Sequence, residues 1–541
     1  MQNLALNRRW LKAILPYLTL LLLYIPLLII HTDGQSLMAH DEGLYATRAK
    51  LMFQSGDWIN PWSTPHHKTP GPYWLVAASY SLFGISEASA RLPSLIASIL
   101  SILLVYEIGK IILNKPVGWL AAAILNLGFL WFQYSRLTNP DVSFICLVLL
   151  GIWALLKAEK EPQYDNIFRF ISGISFGFGF LMRSFMVVLP ILACLPYLIG
   201  ENRRHRHLVK VELYLGLLIG LLPTLAWGIA CWLRYGQETW GALFGFVINL
   251  GSEERHGNGL FYYLWHLPIL TFPWSLLSLL GLSVAFYKPI PRYHLLLTGF
   301  PIVFLIELSL FSTRLPHYSL SIYPFIALLA ALGLYCLFNR PLEKVKAQRQ
   351  WLSWLSYLLG GIGILILIAS FILIFELSVP WVILDEEIKQ YGAIAFPLGL
   401  FWSNLLILYV AKYHFKKQFS ISRYWIGSLL LGAWFSLAIA SHIGLLGNYN
   451  PQIKAFIQQP EVANVLQNHS VNFVKENSNK TYVLLRFYTP TINEKVSHIS
   501  ELSPLSYTWI ETDNLAEISL PYQEFGAIQG WHLIQLLPPN S

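Results

Sequence analysis

Apolar runs separated by short polar or basic breaks recur along most of the chain. Many approach the roughly 20 residues a membrane-spanning helix needs, well beyond the roughly 10 of a barrel strand. Thirteen such helices are predicted, near residues 13–30, 88–109, 117–133, 142–156, 167–182, 185–200, 211–233, 265–287, 294–311, 318–338, 354–375, 391–411 and 424–444. Only the Arg183-Ser184 break divides the fifth from the sixth. The first run is longer than a signal-peptide core and no small-residue cleavage site follows it, so it reads as an uncleaved anchor.

Composition narrows the class further. Hydrophobic residues make up 55% of the 541 and charged residues 12%, with a mean hydropathy of +0.51. A soluble domain carries about 25% charge, so soluble multidomain, disordered, coiled-coil and collagen-like readings are all excluded. The net charge of +8 bears on topology and points to no nucleic-acid partner. With the N-terminus in the cytoplasm, 22 of the 37 Lys and Arg residues fall in the short inside loops, as the positive-inside bias requires. An odd number of spans then places the C-terminus outside. Cys146, Cys194, Cys231 and Cys336 lie in apolar runs without metal-ligand spacing and read as packing residues.

The predicted fold class is therefore an all-α polytopic membrane protein with a small α/β domain at its C-terminus. The membrane domain spans residues 1–446, with a first outside loop at 31–87 that carries short surface-lying amphipathic stretches. A second outside loop covers 234–264. The tail, 447–541, reads as helical over 452–475, with strands at Thr481–Tyr488, Ser506–Glu511 and His532–Leu537.

The polar residues with chemical potential gather on the outside. The first loop holds His40-Asp41-Glu42-Gly43-Leu44-Tyr45, then Ser55-Gly56-Asp57-Trp58, then His66-His67-Lys68-Thr69-Pro70-Gly71-Pro72-Tyr73-Trp74. Other outside corners supply Asp141, Arg183, Glu253 to His256, and Ser312 to Leu320 with Arg314 and Tyr318. Each residue has a plainer role open to it. Asp41 and Asp141 suit helix caps, Lys68 and Arg314 interface anchors, the histidines a solvated surface, and Arg183 a snorkelling cation. Their convergence on one side suits a site for a membrane-anchored substrate with a charged head group.

These motifs resemble a known group. Asp-Glu-x-x-Tyr, Ser-Gly-Asp-Trp and Lys-x-Pro-x-x-Tyr-Trp in the first loop are similar to those of GT-C fold glycosyltransferases that use polyprenyl-phosphate sugars. Within them the chain is most similar to the protein O-mannosyltransferase and lipid A aminoarabinose transferase group. The segment Ser312 to Leu320 resembles a later motif of that group, with Arg314 in its lysine position.

The resemblance implies an inverting transfer from a polyprenyl-phosphate donor to a lipid, glycan or protein acceptor, in a bacterial plasma membrane. Asp41 and Asp141 match its acids, with Asp41 as the base that takes the acceptor proton. Lys68, Arg314 and Tyr318 would hold the donor phosphate, supported by Glu42 and Tyr45. Two positions depart from the aminoarabinose transferases: their Arg before the Tyr is Leu44 here, and their metal-ligating Glu before the Lys is His67. His67 and His256 are the candidate ligands for a divalent metal. A transporter or flippase is the alternative, but it would place ionisable groups deep between helices, whereas Glu107, Glu212 and Glu307 lie near span ends.

Overall fold

The computed structural model describes residues 2–32, 34–62, 64–252, 257–288, 290–338, 346–375, 386–474, 479–496 and 498–538. The chain enters as α1 (Gln2–Ile29) and crosses a segment carrying α2 (Leu44–Ser55) and α3 (Gly71–Phe83). It continues through α4 (Glu87–Ile112), the pair α5 and α6 (Lys115–Asn126 and Phe129–Ser135), α7 (Pro140–Lys160), α8 (Asp165–Arg183) and α9 (Val188–Gly200). Further long helices follow at Val211–Tyr235, Tyr323–Phe338, Lys346–Ile374, Glu386–Tyr413 and Ile421–His442.

Among the described residues, nine helices are long and apolar enough to span, or eleven if each of two bent pairs is one span, against the thirteen predicted. The difference has two sources. Residues 162–200 satisfy the length criterion as one stretch, yet α9 folds back after α8 at Ser184, whose φ is 51°. Arg169, near the start of α8, hydrogen-bonds His207, beyond the end of α9, at 3.3 Å. The helical segment Leu295–Leu310 is shorter than a full span.

Local chemistry sets the helix ends near the site. Ser86 caps α4, accepting from the Ser89 amide at 3.1 Å while the Ser89 hydroxyl accepts from the Ser86 amide at 3.0 Å. Asn139 caps α7 by accepting from the Asp141 amide at 2.9 Å, and Pro140 opens the helix. Between helices, small residues permit close approach: Gly173 and Gly177 of α8 meet Gly216 and Gly220 of the Val211–Tyr235 helix. A Cβ on Gly173 would stand 2.1 Å from the Leu213 carbonyl oxygen.

The tail contains a five-stranded sheet with order β2-β1-β3-β5-β4. Its strands are β1 (Val471–Val474), β2 (Ile492–Val496), β3 (Tyr507–Glu511), β4 (Tyr522–Ile528) and β5 (Trp531–Leu536). β1 lies parallel to β2 and β3, while β5 runs antiparallel to β3 and β4. The strands expected at 506–511 and 532–537 are present. The helical reading of 452–475 holds for Pro451–Ile457 and Pro460–Asn468 but gives way to β1.

The predicted strand Thr481–Tyr488 is instead the helix Lys480–Tyr488. Its β-branched and aromatic residues favour a strand, but both ends are satisfied as a helix. Asn479 accepts from the Tyr482 amide at 2.7 Å. The buried Lys50 ammonium on α2 donates to the carbonyls of Phe487 at 3.0 Å, of Arg486 and of Thr489, the usual place for a cation at a helix C-terminus. Leu484, Leu485, Trp509, Trp531 and Leu533 share one core with Ala46, Ala49 and Met52 of α2 and Tyr73, Val76 and Tyr80 of α3. The tail therefore docks on the first loop through the Lys480–Tyr488 helix, with one face of its sheet in the same core, at the end of the bundle where that loop lies.

Candidate active site

A cavity of about 1320 Å³ opens at this end of the bundle. Its wall draws on α2, the 61–69 segment, the α6–α7 corner, the α8–α9 corner, Leu315 to Tyr318, and the Lys480–Tyr488 helix. Four segments that the sequence placed on one side thus meet at a single space. His256 lies outside the described residues.

Asp41 and Glu42 sit in a π-helical turn, Ala39–Gly43, closed by the Gly43 amide on the Met38 carbonyl at 2.7 Å. The two adjacent carboxylates meet different surroundings. Glu42 is fully buried and forms a two-pronged pair with Arg91, at 2.7 and 2.9 Å. It also accepts from the Met38 amide at 2.9 Å and from Thr138. Arg91 reaches on to the Ser36 and Gly447 carbonyls, at 3.1 and 3.0 Å. Glu42 is a fastener for the loop. Asp41 instead is exposed, lines the cavity and forms no hydrogen bond or ion pair through its carboxylate among the described residues. It caps no helix: the cap positions are Met38 and Gly43.

Asp141 is not a cap either, since Asn139 fills that place. Its carboxylate pairs with Arg183 at the end of α8, and the Arg183 guanidinium lies 5.5 Å from the centre of the Tyr318 ring. All three line the cavity, so Arg183 is a member of the site and not a snorkelling surface cation. His317 also faces the cavity and stacks on Tyr134 at 5.4 Å.

Lys68 donates to the Tyr45 hydroxyl at 3.2 Å and lies 4.9 Å from the Tyr45 ring centre. Burial pushes the Lys68 ammonium below the usual lysine range and the Tyr45 phenol up to about 12, so this phenol stays neutral. Tyr45 stacks on Tyr73 at 5.4 Å. Arg48, one turn after Leu44 on α2, places a guanidinium nitrogen 3.2 Å from His66 Nε2 and 3.3 Å from the Tyr73 hydroxyl. Burial, and after it Arg48, holds His66 well below the usual histidine range, so its Nε2 accepts. Among the described residues neither Lys68 nor Arg48 has a carboxylate partner.

Arg314 is placed differently. Its guanidinium is buried and donates to the Ser309 carbonyl at 3.1 and 3.0 Å and to the Asn258 carbonyl at 2.6 Å. It does not line the cavity, so the structure does not bring it together with Lys68. The cations that face the space are Lys68, Arg183, Arg48 and, from the tail helix, Arg486. Sequence reasoning missed Arg48, His317 and Arg486. The first had a legible signal: spaced i+4 from Leu44, it shares that residue's helix face.

His67 lines the cavity with its ring 4.6 Å from that of His66. Among the described residues His67 belongs to no group of three possible metal ligands. The described group with three possible ligands lies elsewhere, at Glu159, His205 and His207. Most of its ligand atoms are committed: His205 Nδ1 accepts from the His207 amide at 3.2 Å, His207 Nδ1 accepts from Arg169, and Glu159 pairs with Arg204, while His207 Nε2 lies 3.6 Å from Glu159 without a hydrogen bond among the described residues.

The comparisons with known proteins agree with this geometry. A family profile described as dolichyl-phosphate-mannose-protein mannosyltransferase matches residues 67–229. An undecaprenyl phosphate-alpha-4-amino-4-deoxy-L-arabinose arabinosyl transferase of Pseudomonas fluorescens is 27% identical over 424 residues, 74% of this chain and 72% of that protein. A transferase of the same description from Pseudomonas paraeruginosa is 28% identical over 259 residues, about half the length of each chain (46%). The crystal structure of ArnT from Cupriavidus metallidurans bound to undecaprenyl phosphate superposes with a TM-score of 0.72 at 17% identity, covering 97% of both chains. An oligosaccharyltransferase of Archaeoglobus fulgidus gives 0.52 at 12% identity, over 92% of this chain and 69% of that one.

The bundle and these likenesses give the chain the GT-C fold of integral-membrane glycosyltransferases. Within that class the chain is ArnT-like in fold over nearly its whole length and in sequence over most of it. These likenesses give the transporter alternative no support.

Proposed function

We propose that the protein transfers a sugar from a polyprenyl-phosphate donor to a hydroxyl acceptor in this cavity, inverting the anomeric carbon. The acceptor oxygen bonds to the anomeric carbon as the carbon–oxygen bond to the phosphate breaks. The acceptor proton goes to the Asp41 carboxylate, and the electron pair goes to the phosphate oxygen. Lys68 faces that oxygen, and Tyr318 offers it a hydroxyl. Asp141 holds Arg183 in place at the cavity wall and offsets its charge rather than touching the sugar. A divalent metal has no step in this reading. The cavity is read as extracytoplasmic, with the N-terminus in the cytoplasm and residues 447–541 outside, on the asymmetry of Lys and Arg between loops. The membrane is read as a bacterial plasma membrane.

The observation that carries the proposal is an exposed carboxylate, Asp41, with no hydrogen bond or ion pair among the described residues, in one cavity with Lys68 and Arg48, which form no ion pair with a carboxylate among those residues. A base and an anion-binding group are what the transfer needs, and Coulomb attraction is strong where water is excluded. The test uses the full-length protein in membranes, an undecaprenyl-phosphate-linked sugar, and release of undecaprenyl phosphate as the signal. Asp41→Asn should keep the fold and lose about two to four powers of ten in rate, the scale of general-base removal. Turnover near wild type in Asp41→Asn would remove Asp41 as the base.

A further inference from the structure

We infer that Arg48 is a second catalytic cation, which binds the leaving phosphate and favours the charge it gains during transfer. The inference rests on the donor reading above. It starts from a mismatch of charge. A sugar linked to a lipid through phosphate is a phosphodiester with one negative charge. When the sugar departs, the lipid keeps a phosphomonoester that approaches two. A site matched to the diester alone would need one uncompensated cation. Beside Arg183, whose charge Asp141 offsets, this cavity presents three cations, Lys68, Arg48 and Arg486 of the tail helix, against the one carboxylate of Asp41, a surplus of two.

Arg48 is built to act on the same group as Lys68. Both line the cavity, and Arg48 is among the charges that act on the Lys68 ammonium. Its guanidinium is oriented on one edge by His66 Nε2 and the Tyr73 hydroxyl and flanked by the Trp62 ring at 5.7 Å. These contacts use one terminal nitrogen, which leaves donors on the planar fork for a phosphate. Two fixed cations close together repel each other, so they stabilise most the state with the greatest negative charge between them. That state is the one after bond cleavage has begun, which makes the contribution catalytic and not merely adhesive. Leu44, one turn earlier on the same face, stands where the aminoarabinose transferases carry arginine, so Arg48 supplies from the next turn the charge missing there.

The experiment compares two ligands on the purified full-length protein at pH 8: undecaprenyl phosphate, near two charges, and its methyl ester, with one. Wild type should bind the monoester more tightly. Arg48→Gln should weaken monoester binding by about tenfold, weaken the ester by less than about threefold, and lower the transfer rate by about 10- to 100-fold. Arg48→Gln with Leu44→Arg should recover part of the preference. A merely structural Arg48 would lower both affinities in proportion, or neither. Arg48→Gln that still prefers the monoester as wild type does overturns the inference while the donor reading stands. Wild type that binds neither lipid overturns the donor reading and this inference together. If Arg48→Gln does not fold, Arg48→Lys serves: it keeps the charge but loses the fork, and should lose part of the monoester preference. An unchanged preference in that variant overturns the two-pronged grip.

Discussion

Two charged clusters stand at opposite ends of α8, and they are built on different principles. At one end Glu159 pairs with Arg204 and accepts from the Tyr197 hydroxyl, Arg169 pairs with Asp165, and the His205 and His207 rings stack at 4.2 Å. At the other end are Asp41, Lys68, Arg48 and Arg486, and among the described residues only Arg183 and Asp141 form an ion pair there. The 14 residues from Arg169 to Arg183 separate the ends by about 21 Å along the helix. The Glu159 cluster gathers three potential metal-ligand side chains in one place and so has more of the outward form of a site. Its charges cancel and most of its donors and acceptors are spent, so it is architecture. The cavity cluster is sparser, but its surplus charge has no internal answer. Uncompensated charge beside an open cavity, more than the density of polar residues, distinguishes a ligand site from a structural node.

The comparison can be broken in several ways. The largest effect should come from a satisfied pair. Glu42→Gln leaves Arg91 buried without its counter-charge and should destabilise the fold by about 3–5 kcal/mol, seen as a lower thermal midpoint and less folded protein. Stability equal to wild type would mean that Glu42 is not the fastener of the first loop. Lys68→Met should do the opposite: transfer falls by about 10- to 100-fold, while the thermal midpoint holds or rises because the charge removed pairs with no carboxylate among the described residues. A midpoint that drops together with activity would put Lys68 among the structural charges.

Arg314→Met sharpens the contrast between cations. It removes donors from the Ser309 and Asn258 carbonyls and should cost about 1–3 kcal/mol of stability, with donor affinity changed by less than about threefold. Its effect on transfer should multiply with that of Lys68→Met, because the two share no ligand. Double-variant kinetics that fall short of the product would return Arg314 to the phosphate site. The smallest effect is one of pH. Burial, and after it His207, pushes the His205 imidazole down to about 4 from an ordinary value near 6.5. The unfolded chain therefore takes up a proton that the folded state refuses, and stability should fall as pH drops from about 6.5 towards 4. In His205→Gln that slope should be shallower. An equal slope in both would show that His205 is not the group responsible.

Much of the molecule is legible in residue order. The apolar runs announce a helical membrane protein because span length is set by the bilayer and backbone groups in lipid must be satisfied within the helix. The first-loop motif leads to Asp41 and Lys68, since both lie within one short segment. Arg314 was equally visible as a cation, but its hydrogen bonds to the Ser309 and Asn258 carbonyls appear only once the loops are packed. The same holds for Asp141, whose partner Arg183 is 42 residues away in the chain.

The Lys480–Tyr488 segment marks the boundary most clearly. Alone it reads as a strand, from Tyr482, Val483 and Phe487. Docking on α2 makes it a helix, because Lys50 closes the end of the helix and the apolar side chains find a core shared with the first loop. Sequence by itself determined which residues enter the membrane and which carry charge. Tertiary structure decided which charges cancel, since cancellation depends on distances of a few ångströms between segments that residue order keeps far apart.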